Sequence, residues 1–327
     1  MAVEATAPGK AILFGEHSVV YRGPAVVLAI DRRARVVASE RADDRVFFDA
    51  LDIGFSGYFE GETYVPVYGQ PWRGKNLQPL LVSARKTMEH IGAESGLDIK
   101  VRSEIPIAAG LGSSAAICVA TVASVGELLG GSLTPHEICE LAYEGEKVVH
   151  GTPSGVDNNI STFGGVLRYE RGVGIERFEL DGALPFIIGN SKRKRSTRRL
   201  VERVRRLRER EPELVDRIID AIAQVSQDGL AALKSLDLPR VGDLMNVNHG
   251  LLASLGVSIA KLDIMVHLSR GAGAYGAKLT GAGGGGCMIA LSDESNLENI
   301  RRALLRCRGE PHIVGITYEG VRTRRVD

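Results

Sequence analysis

The chain has 327 residues, 44% apolar and 25% charged, which fits a globular protein of one large or two ordinary domains. A net charge of +1 argues against general polyanion binding by the whole molecule. No apolar run reaches the ~18 residues of a membrane span, and the start Met1-Ala-Val-Glu4 lacks the basic and apolar regions of a signal peptide.

Taken in order, Ala11–Phe14, Ala25–Ile30 and Arg35–Ser39 are rich in Val and Ile and predict strands. Asp98–Ile105 alternates and ends at Pro106, as a strand entering a turn does. Ser113–Leu129 is apolar on nearly all sides and predicts a buried helix. Thr134-Pro-His-Glu137 is a capping box with Pro at the first helical position. The helix it opens is broken by Gly151-Thr-Pro-Ser-Gly155, and a strand near Gly165–Tyr169 follows. Composition shifts after Gly172, so we expect two domains, 1–172 and 173–327. Residues 192–210 hold eleven Lys/Arg against two Glu, with Leu200, Val204 and Leu207 at helical spacing. Helices are expected at Glu213–Gln227, Pro239–Leu255 and Ile259–Arg270, and strands at Ala277–Leu279, Cys287–Leu291 and His312–Thr317. Strands and helices in separate runs indicate an α+β class. The four cysteines form no C-x-x-C pair, which leaves no zinc or redox motif, and a reducing cytoplasm is expected.

Two glycine clusters stand out. Gly110-Leu-Gly-Ser-Ser-Ala115 lies between a strand and a buried helix. Glycines admit a phosphate close to the backbone, and the helix start offers unpaired N–H groups. A plain turn with Ser113 or Ser114 as cap is the alternative. The loop lacks the lysine of a Walker A motif, and the dinucleotide fingerprint it partly matches needs a second parallel strand that the following helix displaces. The second cluster, Gly281-Ala-Gly-Gly-Gly-Gly286, is framed by strands; so many glycines imply something packed against the turn, beyond a simple hairpin.

Three further groups could complete a phosphoryl-transfer site. Glu146 lies at the edge of its helix's apolar face, where Glu140, Glu144 and Lys147 look solvated. Asp157, in Ser154-Gly-Val-Asp157, is either a helix cap or a carboxylate beside a reacting hydroxyl. Lys10 heads a strand near Gly15-Glu16-His17 and could offset phosphate charge or lower a hydroxyl's pKa.

Four segments together carry a resemblance: Ala7-Pro-Gly-Lys-Ala-Ile-Leu-Phe-Gly-Glu-His-Ser-Val-Val-Tyr21, Pro106-Ile-Ala-Ala-Gly-Leu-Gly-Ser-Ser-Ala115, Glu144-Gly-Glu-Lys-Val-Val-His-Gly-Thr-Pro-Ser-Gly-Val-Asp157 and Lys278-Leu-Thr-Gly-Ala-Gly-Gly-Gly-Gly-Cys287. In this order they resemble the GHMP kinase superfamily, and within it the mevalonate kinase family. The resemblance implies a ribosomal-protein-S5-domain-2-like first domain, a ferredoxin-like second domain and an active site between them. It implies ATP and Mg2+, with the γ-phosphoryl group passing to the C5 hydroxyl of mevalonate. It implies Asp157 and Lys10 as the catalytic pair and Ser114 and Glu146 as metal ligands. Pro106, Ala108, Ala109, Gly110, Leu111, Gly112, Ser113 and Ser114 would form the nucleotide loop. Glu16, His17, Ser154, Arg195, Thr197, Gly281, Ala282 and Gly283 would face the acceptor, Arg195 pairing its carboxylate. Arg193 and Lys194 stand where the family often has Gly. The resemblance leaves a homodimer open and gives no role to nucleic acid or membrane.

Overall fold

A computed structural model of the chain describes residues 1–106, 109–150, 153–182 and 184–326. The first part runs β1 (Ala2–Phe14), a one-turn α1 (Ser18–Tyr21), β2 (Ala25–Arg41), β3 (Val46–Ala50), β4 (Phe55–Glu60), β5 (Thr63–Tyr68), α2 (Gln78–Ile91), β6 (Gly96–Ser103), α3 (Ser113–Leu128), α4 (Pro135–His150), α5 (Val156–Phe163), β7 (Val166–Glu170) and β8 (Gly174–Phe178). The second runs β9 (Phe186–Asn190), α6 (Thr197–Arg210), α7 (Pro212–Lys234), α8 (Leu238–Ser254), α9 (Ala260–Gly271), β10 (Gly276–Leu279), β11 (Cys287–Leu291), α10 (Leu297–Arg306), β12 (Glu310–Val314) and β13 (Arg322–Val326).

Eight strands of the first part join β13 in one sheet, whose main path is β13-β1-β2-β6-β3-β4-β5, with β7 and β8 branching from β2. The expected strands at 25–30 and 35–39 are one strand. Pro8 faces Arg33 while Gly9 faces Ile30, so Asp31 and Arg32 bulge out of the ladder and interrupt the apolar pattern without ending the strand. The second sheet is antiparallel with order β10-β11-β9-β12, the ferredoxin-like order. Strands β9, β10 and β11 are buried on both faces, while the edge strand β12 is partly exposed. Phe186, Ile188, Cys287, Ile289 and Leu291 join the core shared with the first sheet, and Ile187, Met288 and Ala290 join a second core under α8 and α9. The two lobes therefore share one apolar core rather than touching through a wet interface.

Helix α3 is central to the first lobe, with every residue from Ala115 to Gly126 buried. It packs on β1 and β2 and is flanked by α2, α4 and α5. The capping box forms as expected: the Thr134 N–H donates to Glu137 Oε2 at 2.7 Å, and the Glu137 N–H donates to Thr134 Oγ1 at 3.3 Å. All four cysteines are free thiols. In the basic run, part of the charge is neutralised locally. Arg205 and Arg206 pair with Glu202 at 2.7 and 2.8 Å, and Arg208 pairs with Asp216 on α7. No helix among the described residues is long and apolar enough to cross a membrane.

Candidate active site

The loop before α3 is docked on β1, where the Lys10 N–H donates to the Leu111 carbonyl at 2.9 Å. Gly112 is the helix N-cap in left-handed conformation (φ 73°), and no side chain caps the helix. Ser113 and Ser114 are thus not caps; they are the first helical residues. The capping alternative fails, and the N–H groups of the first turn are left available to an anion. The Ser113 hydroxyl lies 3.4 Å from that of Ser103. Pro106, Ala109, Gly110 and Leu111 belong to this loop, while Ala108 lies outside the described residues.

Asp157 sits in the first turn of α5, whose N-cap is Gly155 (φ 78°), again without a side-chain cap. The cap reading of Asp157 fails for the same reason as that of the serines. Its Oδ1 instead pairs with Lys10 Nζ at 3.0 Å, the lysine side chain 9% and the aspartate 35% exposed. The pair is buried on the lysine side and open on the aspartate side, so a hydroxyl can approach the carboxylate beside a fixed positive charge. A Cβ on Gly112 would lie 2.7 Å from Lys10 Cγ, which places the lysine stem against the Gly110–Ala115 loop.

Arg195 lies between the two glycine clusters. Its guanidinium occupies the space beside Gly110 and beside Gly281, within 3 Å of a Cβ placed at either. Burial lowers its pKa, opposed by Cys287, Asp157 and Glu16, and its buried Nη1 has no hydrogen-bond partner among the described residues. A buried, unsatisfied guanidinium N–H is costly unless an anion completes it. The second cluster joins β10 to β11, and much of what packs against it is the protein itself: a Cβ on Gly283 would lie 2.2 Å from the Val257 carbonyl oxygen.

Glu16 and His17 are buried at the same junction. His17 Nε2 lies 2.9 Å from the Ala282 carbonyl oxygen, and burial lowers its pKa. Glu16 is enclosed in an ion pair with Lys278. Ser154 is exposed, and its hydroxyl accepts from the Val156 N–H at 3.4 Å. Thr197 is exposed and opens α6 behind its Ser196 cap.

For a divalent metal, the donors fit magnesium's preference for few, hard oxygen ligands from protein. Glu146 is 3% exposed on α4 and near Cys118 of α3, whose thiol is pushed up to about 12 by burial and by that carboxylate. Ser114 lies one helical turn before Cys118 on the same helix. One carboxylate and one hydroxyl near the uncapped start of α3 would leave the remaining positions to phosphate oxygens and water.

The residues missed from sequence are those that join the lobes. Thr280 Oγ1 donates to the Ile12 carbonyl at 2.8 Å and accepts from the Ile12 N–H at 3.0 Å. Lys278 binds Glu16, and Asn248 Nδ2 donates to the other Glu16 oxygen at 3.4 Å. A signal was present: a lysine interrupts an otherwise apolar strand, and a buried lysine requires a partner.

Comparison with known proteins gives two family matches. Residues 79–165 match the model for the GHMP kinases N terminal domain, and residues 230–310 that for the GHMP kinases C terminal. The chain is 40% identical to the mevalonate kinase of Thermococcus gammatolerans, covering 100% of this chain and 99% of that one. It is also 40% identical to that of Pyrococcus horikoshii, covering 99% and 98%. Among solved structures, the Methanococcus jannaschii mevalonate kinase superposes with a TM-score of 0.81 at 30% identity, over 97% of this chain and 98% of that one. The L. major mevalonate kinase solved with R-mevalonate gives 0.80 at 26% identity, over 96% of each. With the glycine loop before α3, the lysine–aspartate pair and the second glycine turn meeting between two lobes of this kind, the chain belongs to the GHMP kinase family, among the mevalonate kinases.

Proposed function

We propose that this protein transfers the γ-phosphoryl group of ATP to the C5 hydroxyl of (R)-mevalonate, giving 5-phosphomevalonate and ADP for isoprenoid precursor synthesis. The observation that carries the reading is the 3.0 Å Lys10–Asp157 pair beside the uncapped start of α3. The α3 N–H groups hold the phosphates. Asp157 accepts the hydroxyl proton as the C5 oxygen bonds to the γ-phosphorus and the bond to the β-phosphate oxygen breaks. Lys10 orients Asp157 and offsets the charge on the attacking oxygen. Arg195 pairs the acceptor carboxylate, supported by its unsatisfied Nη1. Ser114 and Glu146 would hold Mg2+, which when bound neutralises charge on the β- and γ-phosphates. Glu16, His17 and the Gly281–Gly283 turn enclose the acceptor side. In this reading residues 1–172 supply the phosphate loop and catalytic pair, and residues 173–327 supply Arg195 and the second glycine turn. The free thiols support a cytoplasmic location.

The test is a coupled ADP-release assay with ATP, Mg2+ and a panel of mevalonate, 5-phosphomevalonate, galactose and homoserine, with product identification. Mevalonate-dependent ADP release and 5-phosphomevalonate are expected. Turnover of another alcohol without turnover of mevalonate would overturn the substrate assignment.

A further inference from the structure

We propose that Lys278 is a positioning residue that reaches across the lobe boundary and holds the Glu16–His17 turn in its acceptor-facing geometry. The inference rests on the phosphoryl-transfer reading above and adds a residue to it.

Three observations converge on this turn. First, Lys278 is 0% and Glu16 1% exposed in their side chains, so their ion pair is formed without help from water. Lys278 Nζ also donates to the Leu279 carbonyl at 2.8 Å, and Asn248 takes the second Glu16 oxygen. Such a pair is a weak source of stability. Desolvating both charges offsets most of their attraction, and apolar replacements of similar size are often as stable. What the pair fixes is position, because either charge left alone in that interior is strongly unfavourable.

Second, His17 is a non-glycine residue at φ 63°, a conformation that persists only where surrounding contacts over-determine it. Those contacts come from β10 and the turn after it: Lys278 on Glu16, and the Ala282 carbonyl on His17 Nε2 at 2.9 Å. Third, Thr280, between them, is bonded in both directions to Ile12 of β1, two residues from Lys10. The strand carrying the catalytic lysine and the strained turn that follows it are thus both tied to one short segment of the other lobe. Lys278 supplies its only ionic contact among the described residues. It lies outside the Lys10–Asp157 pair and acts through Glu16.

The experiment is a double-mutant cycle with Lys278→Met, Glu16→Gln and the double variant, reading thermal midpoint, kcat and KM for each substrate. Each single variant is expected to raise KM for mevalonate about tenfold or more while KM for ATP stays within about twofold. The double variant is expected to be no worse than the worse single one, because the two residues act as a unit. Part of the thermal midpoint lost in Lys278→Met should return, since the orphaned carboxylate is gone. Multiplied effects on mevalonate KM, or KM values for both substrates rising in step with lost stability, would overturn the proposal. So would an unchanged mevalonate KM in Lys278→Met. If Lys278→Met does not fold, Glu16→Gln against the double variant decides: equal mevalonate KM supports the clasp, and a further tenfold rise overturns it. Failure of the substrate assignment is seen separately, in the wild-type panel; the cycle is then run on the alcohol that is turned over.

Discussion

The two glycine turns look alike in sequence and are used differently. In the Gly110–Ala115 loop, the space a side chain would fill is taken by charged groups of the site, Arg195 beside Gly110 and Lys10 beside Gly112. In the Gly281–Gly286 turn, Gly283, Gly285 and Gly286 are approached by backbone carbonyls, of Val257, Arg193 and Ala109. The first turn makes room for charged side chains, and the second mainly lets the chain close on itself. Glycine clustering alone indicates close approach; it does not tell ligand from self.

The largest effect expected near the first turn is from Asp157→Asn, which keeps size and helix position but removes the proposed base. Turnover should fall by about 10²–10⁴-fold, with ATP binding, measured by calorimetry, retained. Normal turnover would return Asp157 to a structural role. Gly283→Ala tests the second turn. Its Cβ would meet a carbonyl oxygen at 2.2 Å with φ at 79°, and neither can give way cheaply. A stability loss above about 2 kcal/mol is expected in denaturant titration, with the remaining folded enzyme active. Gly112→Ala should show the reverse balance. The obstacle there is Lys10 Cγ at 2.7 Å with φ at 73°, so stability also falls, by about 1–2 kcal/mol, while kcat drops about tenfold or more through the displaced ammonium. If both alanine variants lose stability equally and keep kcat per folded molecule, the contrast between the turns is broken.

The smallest effect at neutral pH concerns His249, which supports β10 just ahead of the second turn. Its Nδ1 accepts from the Leu279 N–H at 3.3 Å, and that acceptor role requires an unprotonated nitrogen. Burial, followed by the nearby Arg270 charge, lowers its pKa from 6.5 to about 4. The folded form binds a proton less readily than the unfolded chain. The contribution is therefore fully present above pH 6.5 and is lost as pH falls towards 4. His249→Gln should flatten the thermal midpoint against pH across that window; an unchanged slope would assign the acid sensitivity elsewhere.

Local signals account for what was legible. The long buried helix α3, the capping box before α4 and the strands around the second glycine turn are written in periodicity and punctuation over short windows. The Lys10–Asp157 pair was legible only as two separate residues. Lys10 and Asp157 are far apart in sequence, and Asp157 carried an equally good local reading as a cap, which the left-handed Gly155 removes. Strands β3–β5 and helices α2 and α10 were not anticipated. The break in β2 at Asp31-Arg32 looked like a strand end because a bulge and a terminus interrupt alternation alike. Lys278 was missed as a functional residue because its meaning depends on Glu16, contributed by the other lobe.

Strand β13 pairs with β1 from Ala2↔Val326 to Thr6↔Arg322. It follows the second lobe in the chain but completes the sheet of the first. During synthesis, the outer rim of β1 must wait for more than a hundred intervening residues before its hydrogen-bonding groups are covered. A fragment ending at Phe178 would carry that rim permanently open. Greater light scattering on dilution from denaturant than the full chain shows would reveal it, and equal scattering would mean that the rim protects itself.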